Sequence, residues 1–179
     1  AVGSHDNNIY IYEVNGNSYK LKGTLKGHNS FITQLDWSKD GRSMQSVCGA
    51  YELLFWNVDN LSQLTGGGTA FRDEHWATYT VKLGWWVQGV FPAYCDGSHV
   101  NGVDRTKDEK LVVTADDWGL VNIYRNPCMK VSHRHNLGAK ANSYRAHSSH
   151  VVRALLDQSD SYLYSVGGYD KTLMMWKVS

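Results

Sequence analysis

Apolar residues recur along this chain in short, strand-sized bursts and not at helical spacing. The stretches "HDNNIYIY", "GAYELLFW", "DDWGLVNIY" and "YDKTLMMW" each leave a polar turn, enter an apolar run and stop on an aromatic, at Tyr12, Trp56, Tyr124 and Trp176. Enrichment in β-branched and aromatic residues between Asp, Gly, Ser and Lys clusters is the mark of strands. No long 3.6-residue period with caps accompanies it, so helices are not expected. Strands such as "HVVRALL" are almost continuously apolar, which predicts cover on both faces. The pattern predicts an all-β chain.

The bursts belong to a repeat. Upstream of Trp56 lies "KGHNSFITQLDWSKDGRSMQSV", and upstream of Trp176 lies "RAHSSHVVRALLDQSDSYLYSV". These align His28 with His147, Ile32 with Val151 and "SKDGRSMQS" with "DQSDSYLYS". His28 stands 28 residues before Trp56, and His147 stands 29 before Trp176. A third copy places Asp96 where the histidine would be, 28 residues before Tyr124, with His99 three residues late. Each unit reads as three short strands followed by a more variable segment. The expected divisions are a half unit over 1–26, a unit with a long outer segment over 27–95, a third over 96–145 and a last over 146–179.

A repeat of this length, with Gly-His near its start, Asp in the last hairpin and Trp at its end, resembles a WD-repeat β-propeller blade. The phrases "GHNSFITQLDWSKDGR" and "TADDWGLVNIYRNPC" are more specific, and with "WATYTVKLGWWVQGVFP" and "DGSHVNGVDR" they resemble the echinoderm microtubule-associated-protein-like family. The order of the phrases matches the C-terminal part of its tandem propeller. The terminal dipeptides depart from the pattern, reading "WN" and "WK", and Ala50 stands where the turn Asp is expected. The resemblance implies a structural hydrogen-bond network within each blade. Its candidates are His28, His147, Ser165, Asp170 and Trp176, with Asp6 and Asp117 as further turn acids. About three and a half blades fall short of the usual 4–8 of a ring, so the expectation is an open part of a larger propeller, with the remainder of that propeller as its first partner.

Charge adds one feature. The net charge is +1, yet no Asp or Glu occurs from Trp118 to Leu156, a stretch with six Lys or Arg and four His. Such asymmetry suits an acidic partner as well as a solvated face. With the family resemblance it implies tubulin and other cytoskeletal proteins as partners, through Lys130, Arg134, Lys140 and Arg145. The implied setting is the cytoplasmic cytoskeleton and ciliary axonemes. The competing reading is a generic WD-repeat scaffold that binds peptides of a signalling or ubiquitin-ligase complex.

Other chemistries find little support. No G-x-S-x-G elbow is present, and no catalytic residue or cofactor is expected. "CMKVSHRH" and "HSSH" do not match a zinc framework, so no metal ligands are expected. "TGGGTAF" lacks the G-K-[ST] of a phosphate loop and reads as a flexible inter-strand connection. "GWWVQGVF" reads as core packing on an edge or outer strand. No RNA-binding motif or 18-residue apolar run appears, so neither nucleic acid nor membrane is an expected partner. Cys48, Cys95 and Cys128 are too few and too far apart for a disulfide framework and read as small buried strand residues in a reducing compartment.

Overall fold

A computed structural model describes residues 1–92, 94–130 and 138–178. They form two compact units, Ala1–Val81 and Lys82–Ser179. The first holds a three-stranded sheet of β1 (Val2–Gly3), β2 (Ile9–Asn15) and β3 (Ser18–Leu25), and a four-stranded sheet of β4 (Ile32–Trp37), β5 (Ser43–Cys48), β6 (Leu53–Asn57) and β7 (Ser62–Gln63). The second unit holds β8 (Val100–Arg105), β9 (Leu111–Asp116), β10 (Leu120–Arg125) and β11 (Asn142–Arg145) in one sheet, and β12 (Val151–Leu156), β13 (Tyr162–Gly167) and β14 (Leu173–Lys177) in another. All neighbours are antiparallel and consecutive in sequence. The all-β expectation holds.

The repeat is visible at the level of single residues. β4, β8 and β12 each slip register after their first residue, between Ile32 and Gln34, Val100 and Gly102, and Val151 and Arg153. A slip fixed at one place in three strands aligns their later positions one for one. The following turns repeat as well. The backbone N–H groups of Ser38, Thr106 and Asp157 reach across to the carbonyls of Ser43, Leu111 and Tyr162 at 2.9–3.0 Å.

Each unit has its own core. In the first, Ile9, Ile11 and Leu25 of one sheet cluster with Met44, Trp56 and Val58 of the next. In the second, Val113, Ala115 and Val121 cluster with Val151, Ala154 and Leu163. Gly119 makes the second packing possible. Its φ is +77°, and a Cβ there would lie 2.7 Å from the His147 carbonyl oxygen and 2.9 Å from that of Ser149. Only glycine meets both demands.

Three local expectations are corrected. The Gly-rich segment 65–71 contains a short helix, α1 (Gly67–Ala70), held close to β6 because Gly67 has no side chain to strike Phe55. "GWWVQGVF" forms two short 3-10 turns within Trp85–Val90, joined by a kink at Val87 (φ −123°), and not a strand; Val87 and Val90 are buried while Trp86 stacks beneath the Arg105 guanidinium at 5.8 Å. Among the described residues β12 is covered on one face: Val152 and Leu155 are 45% and 44% exposed, and Val166, Leu173 and Met175 extend the same apolar character over β13 and β14. The periodicity that implied double cover records a surface that is apolar and open among the described residues.

Cys48 is a buried strand residue of β5, but Cys95 and Cys128 lie outside the strands. Burial pushes the Cys128 thiol up to about 12 and that of Cys95 up to about 11. Both are poor nucleophiles as a result.

Candidate functional site

The polar side chains that recur from sheet to sheet sit where each sheet's first strand begins and its central hairpin turns. In the last sheet, His147 precedes β12, Ser165 lies in β13 and Trp176 in β14. The Trp176 indole donates to Ser165 Oγ at 2.8 Å, and His147 Nε2 meets the same oxygen at 2.7 Å. On its other side, His147 Nδ1 faces Asp170 Oδ2 at 3.0 Å and Thr172 Oγ1 at 2.9 Å. The Asp170 carboxylate also accepts from the backbone of Ser148 and Thr172, closing the β13–β14 turn. The structure brings all four candidates together, and every buried polar atom of the histidine has a partner, as burial requires.

The β4–β7 sheet repeats half of this arrangement. The Trp56 indole donates to Ser46 Oγ at 2.7 Å, and His28 Nε2 meets that oxygen at 2.7 Å. Ala50 supplies no carboxylate. Glu52 stands in for it from the opposite side of the turn, accepting from the Asn29 backbone N–H at 2.9 Å, from the Asn29 amide and from the Cys48 thiol at 3.2 Å. These donors, with Asn29 first, hold the Glu52 carboxyl down at about 2. His28 Nδ1 lies 3.5 Å from Glu52 Oε2 and has no hydrogen-bond partner among the described residues. Both Ser46 and Glu52 escaped the sequence reading. Ser46 was legible as the counterpart of Ser165; Glu52 stands four before Trp56, as Thr172 stands four before Trp176, and that position alone carried no sign of its role.

Burial lowers the His28 pKa from its ordinary 6.5, and the facing Glu52 offsets only part of this. The neutral ring is therefore the native form. Its contribution to stability is present above pH 6.5 and is lost as pH falls through the lower folded value. An NMR titration of the His28 ring should give a midpoint below 6.5. A midpoint above it would mean that Glu52 governs the ring.

The remaining acids divide differently from expectation. Asp117 is exposed and accepts from the Asn101 amide at 2.8 Å. Asp116 is the buried acid of the β9–β10 turn, accepting from the backbone of Trp118 and Leu120 and from the Asn122 amide, each at 2.9 Å. Two adjacent aspartates were indistinguishable in sequence; strand alternation points the first inward. Asp96 caps its own turn through Ser98 and His99, and His99 stacks on Trp118 at 5.1 Å. Asp6 is exposed, caps the Asn8 backbone N–H at 3.1 Å and accepts from the Tyr10 hydroxyl, which leads in holding it at about 2. It meets no histidine.

A deeper acid had no place in the sequence reading. Asp36, the fifth residue of β4, is fully buried. Its carboxylate accepts from Thr78 Oγ1 at 2.7 Å, from Thr80 and Val81 backbone N–H at 2.9 Å, from Thr80 Oγ1 at 3.0 Å and from the Gln45 amide at 3.1 Å. Burial pushes its pKa up, and these donors pull against that. Asp104, the fifth residue of β8, accepts the Leu156 backbone N–H of β12 at 2.7 Å. These acids clamp neighbouring segments; Asp36 is sealed from solvent and Asp104 is half-buried.

The basic residues fall on an edge. β11 is an outer strand of its sheet and all four of its residues are exposed. Arg145 ends it and exposed Lys140 precedes it, while Lys130 is half-buried; Arg134, with His133 and His135 of the "CMKVSHRH" motif, lies outside the described residues. His150 of "HSSH" meets Ser149 Oγ and the edge of Tyr169, apart from the His147 network.

The chain resembles known proteins in sequence and in fold. The family described as echinoderm microtubule-associated protein second beta-propeller matches residues 1–178. The ciliary WD repeat-containing protein ctxp80 of Euplotoides octocarinatus is 52% identical over 177 residues, which cover 99% of this chain and 24% of that protein. Echinoderm microtubule-associated protein-like 4 of Mus musculus is 40% identical over 180 residues, covering 99% and 18%. The chain thus spans about a quarter or less of the length of these relatives. Among solved structures, the β-propeller domain of Cps50 (Swd1) from Myceliophteria thermophila superposes with a TM-score of 0.64 at 15% identity, covering 99% of this chain and 62% of that one. That likeness fixes the fold: the sheets are WD-repeat propeller blades.

Proposed function

The chain belongs to the echinoderm microtubule-associated protein-like family, and from that premise we propose that it is part of a non-catalytic propeller that binds tubulin on cytoskeletal microtubules, those of ciliary axonemes included. The observation that carries the reading is the match to the family's second propeller over residues 1–178, joined to 52% identity with a protein named as ciliary. The polar clusters support it from the other side. His147, Ser165, Asp170 and Trp176 are turned toward one another and hold a blade together, so this His–Ser–Asp set is engaged internally.

Binding then falls to surfaces. The acid-free stretch presents Lys140 and Arg145 along the exposed edge of β11, with Lys130 and Arg134 in the connection before it. Each exposed charge contributes little alone, but several facing an acidic lattice add up and steer encounter. The open apolar face of β12–β14 is read differently. It is taken up by a further blade of the protein's own propeller, which the longer relatives and the face's apolar character support.

Co-sedimentation of the intact protein with microtubules over a salt series tests the first reading. Binding should be strongest at low salt and should weaken when Lys130, Arg134, Lys140 and Arg145 are all changed to Glu. Failure to pellet at any salt overturns tubulin binding. Unchanged affinity of the charge-reversed variant moves the contact elsewhere on the propeller.

A further inference from the structure

The β4–β7 and β12–β14 sheets carry the same His–Ser–Trp unit but surround it differently. Ile32 pairs with Cys48 as Val151 pairs with Gly167, so Cys48 and Gly167 are structural counterparts. A Cβ on Gly167 would lie 1.8 Å from Asp170 Oδ1. The absence of a side chain there is what admits the carboxylate to the histidine. In the β4–β7 sheet a thiol stem occupies that position, Ala50 has no carboxylate, and Glu52 replaces Thr172. Both changes that bring in side-chain ligands, Gly to Cys and Thr to Glu, put a metal-ligating atom beside His28 Nδ1.

His28 Nδ1, Cys48 Sγ and one Glu52 carboxylate oxygen lie within 4.8 Å of one another. Two of the separations are 3.5 Å, His28 Nδ1 to Glu52 Oε2, and 3.2 Å, Cys48 Sγ to the same oxygen. Bonds of zinc-site length place adjacent tetrahedral ligands roughly 3.3–3.6 Å apart. His28 and Cys48 are buried, and Nδ1, which faces Glu52 at 3.5 Å, is an orphaned polar atom among the described residues. Its counterpart in His147 has two partners. The outer support is already present: Nε2 is engaged by Ser46 Oγ, which is in turn held by the Trp56 indole, as a metal-bound imidazole requires of its second nitrogen. The Glu52 side chain is 29% exposed and leaves a path to solvent.

We propose that His28 Nδ1, Cys48 Sγ and Glu52 bind a zinc-class divalent transition metal, with a fourth position left to water. Binding transfers the Cys48 thiol proton to solvent and leaves the thiolate on the metal. The mixed nitrogen, sulfur and oxygen donors favour such an ion over calcium or magnesium, which take oxygen alone.

Cobalt(II) titration of the intact protein under a non-thiol reductant is the test. A thiolate-to-cobalt absorption band should grow to one equivalent and be displaced by zinc. Cys48→Ala should abolish the band while Cys128→Ala keeps it. Glu52→Gln and Ser46→Ala should each weaken zinc binding about tenfold or more by calorimetry. No band in the unaltered protein, or a band that survives in Cys48→Ala, overturns the site. If Cys48→Ala does not fold, Glu52→Gln decides: unchanged zinc affinity overturns the proposal.

Discussion

Asp36→Ala lowers the stability of the protein by about 3–5 kcal/mol, because it strips the acceptor from several buried donors at once. The backbone N–H groups of Thr80 and Val81 point at the carboxylate, and Val81 is fully buried. A buried donor left without its acceptor costs about 1–3 kcal/mol, and the Gln45 amide and the two threonine hydroxyls add to the loss. Removing the carboxylate also removes the cost of burying it, which keeps the total within this range. Asp36→Asn retains one oxygen and should cost less. Thermal unfolding checks the order, with the alanine variant about 6–20 °C below the parent at roughly 2–4 °C per kcal/mol. Equal midpoints for the alanine variant and the parent would mean that the clamp does not hold the connection from Thr78 to Val81.

Trp56→Ala should cost about 3–5 kcal/mol, the usual loss for a fully buried large aromatic. The ring is 1% exposed and lies in one cluster with Ile9, Ile11 and Leu25 of the preceding sheet, so its removal opens the seam between two blades. It also takes the indole donor from Ser46, leaving that hydroxyl with His28 alone. Trp176 occupies the equivalent place in the last sheet and makes the same bond to Ser165, but its ring is only partly buried. Trp176→Ala should therefore cost measurably less than Trp56→Ala. Chemical denaturation of the two variants separates packing from hydrogen bonding, since only packing differs between them. Equal losses would assign the effect to the indole hydrogen bond.

How far the sequence could be read depended on what each feature asks of its neighbours. The strands were legible because alternation and turn residues are local: "YELLFW" and "TLMMW" carry β6 and β14 almost to the residue. His147, Ser165, Asp170 and Trp176 were legible because a repeat holds them at fixed spacing. Substitution across space was not legible. Glu52 takes over from an aspartate two positions away only because its longer chain crosses the turn. Asp36 had no place in that reading, since all of its partners except Gln45 lie 42–45 residues further along. The 3-10 turn at Trp85–Val90 was misread for a related reason, as apolar content alone does not separate a strand from a tight helical turn.

The recurring slip in β4, β8 and β12 makes their fifth residues equivalent: Asp36, Asp104 and Leu155. The first two fasten a neighbouring segment with a carboxylate, and Asp104 does so across a blade boundary. Leu155 has no such group to offer. In the proposed propeller the blade that covers Leu155 meets an apolar face, held by a force that fades on cooling, whereas Asp104 keeps a directional bond to Leu156 at every temperature. Chilling should loosen the propeller first at β12–β14, and sulfate, which strengthens apolar burial, should tighten it there.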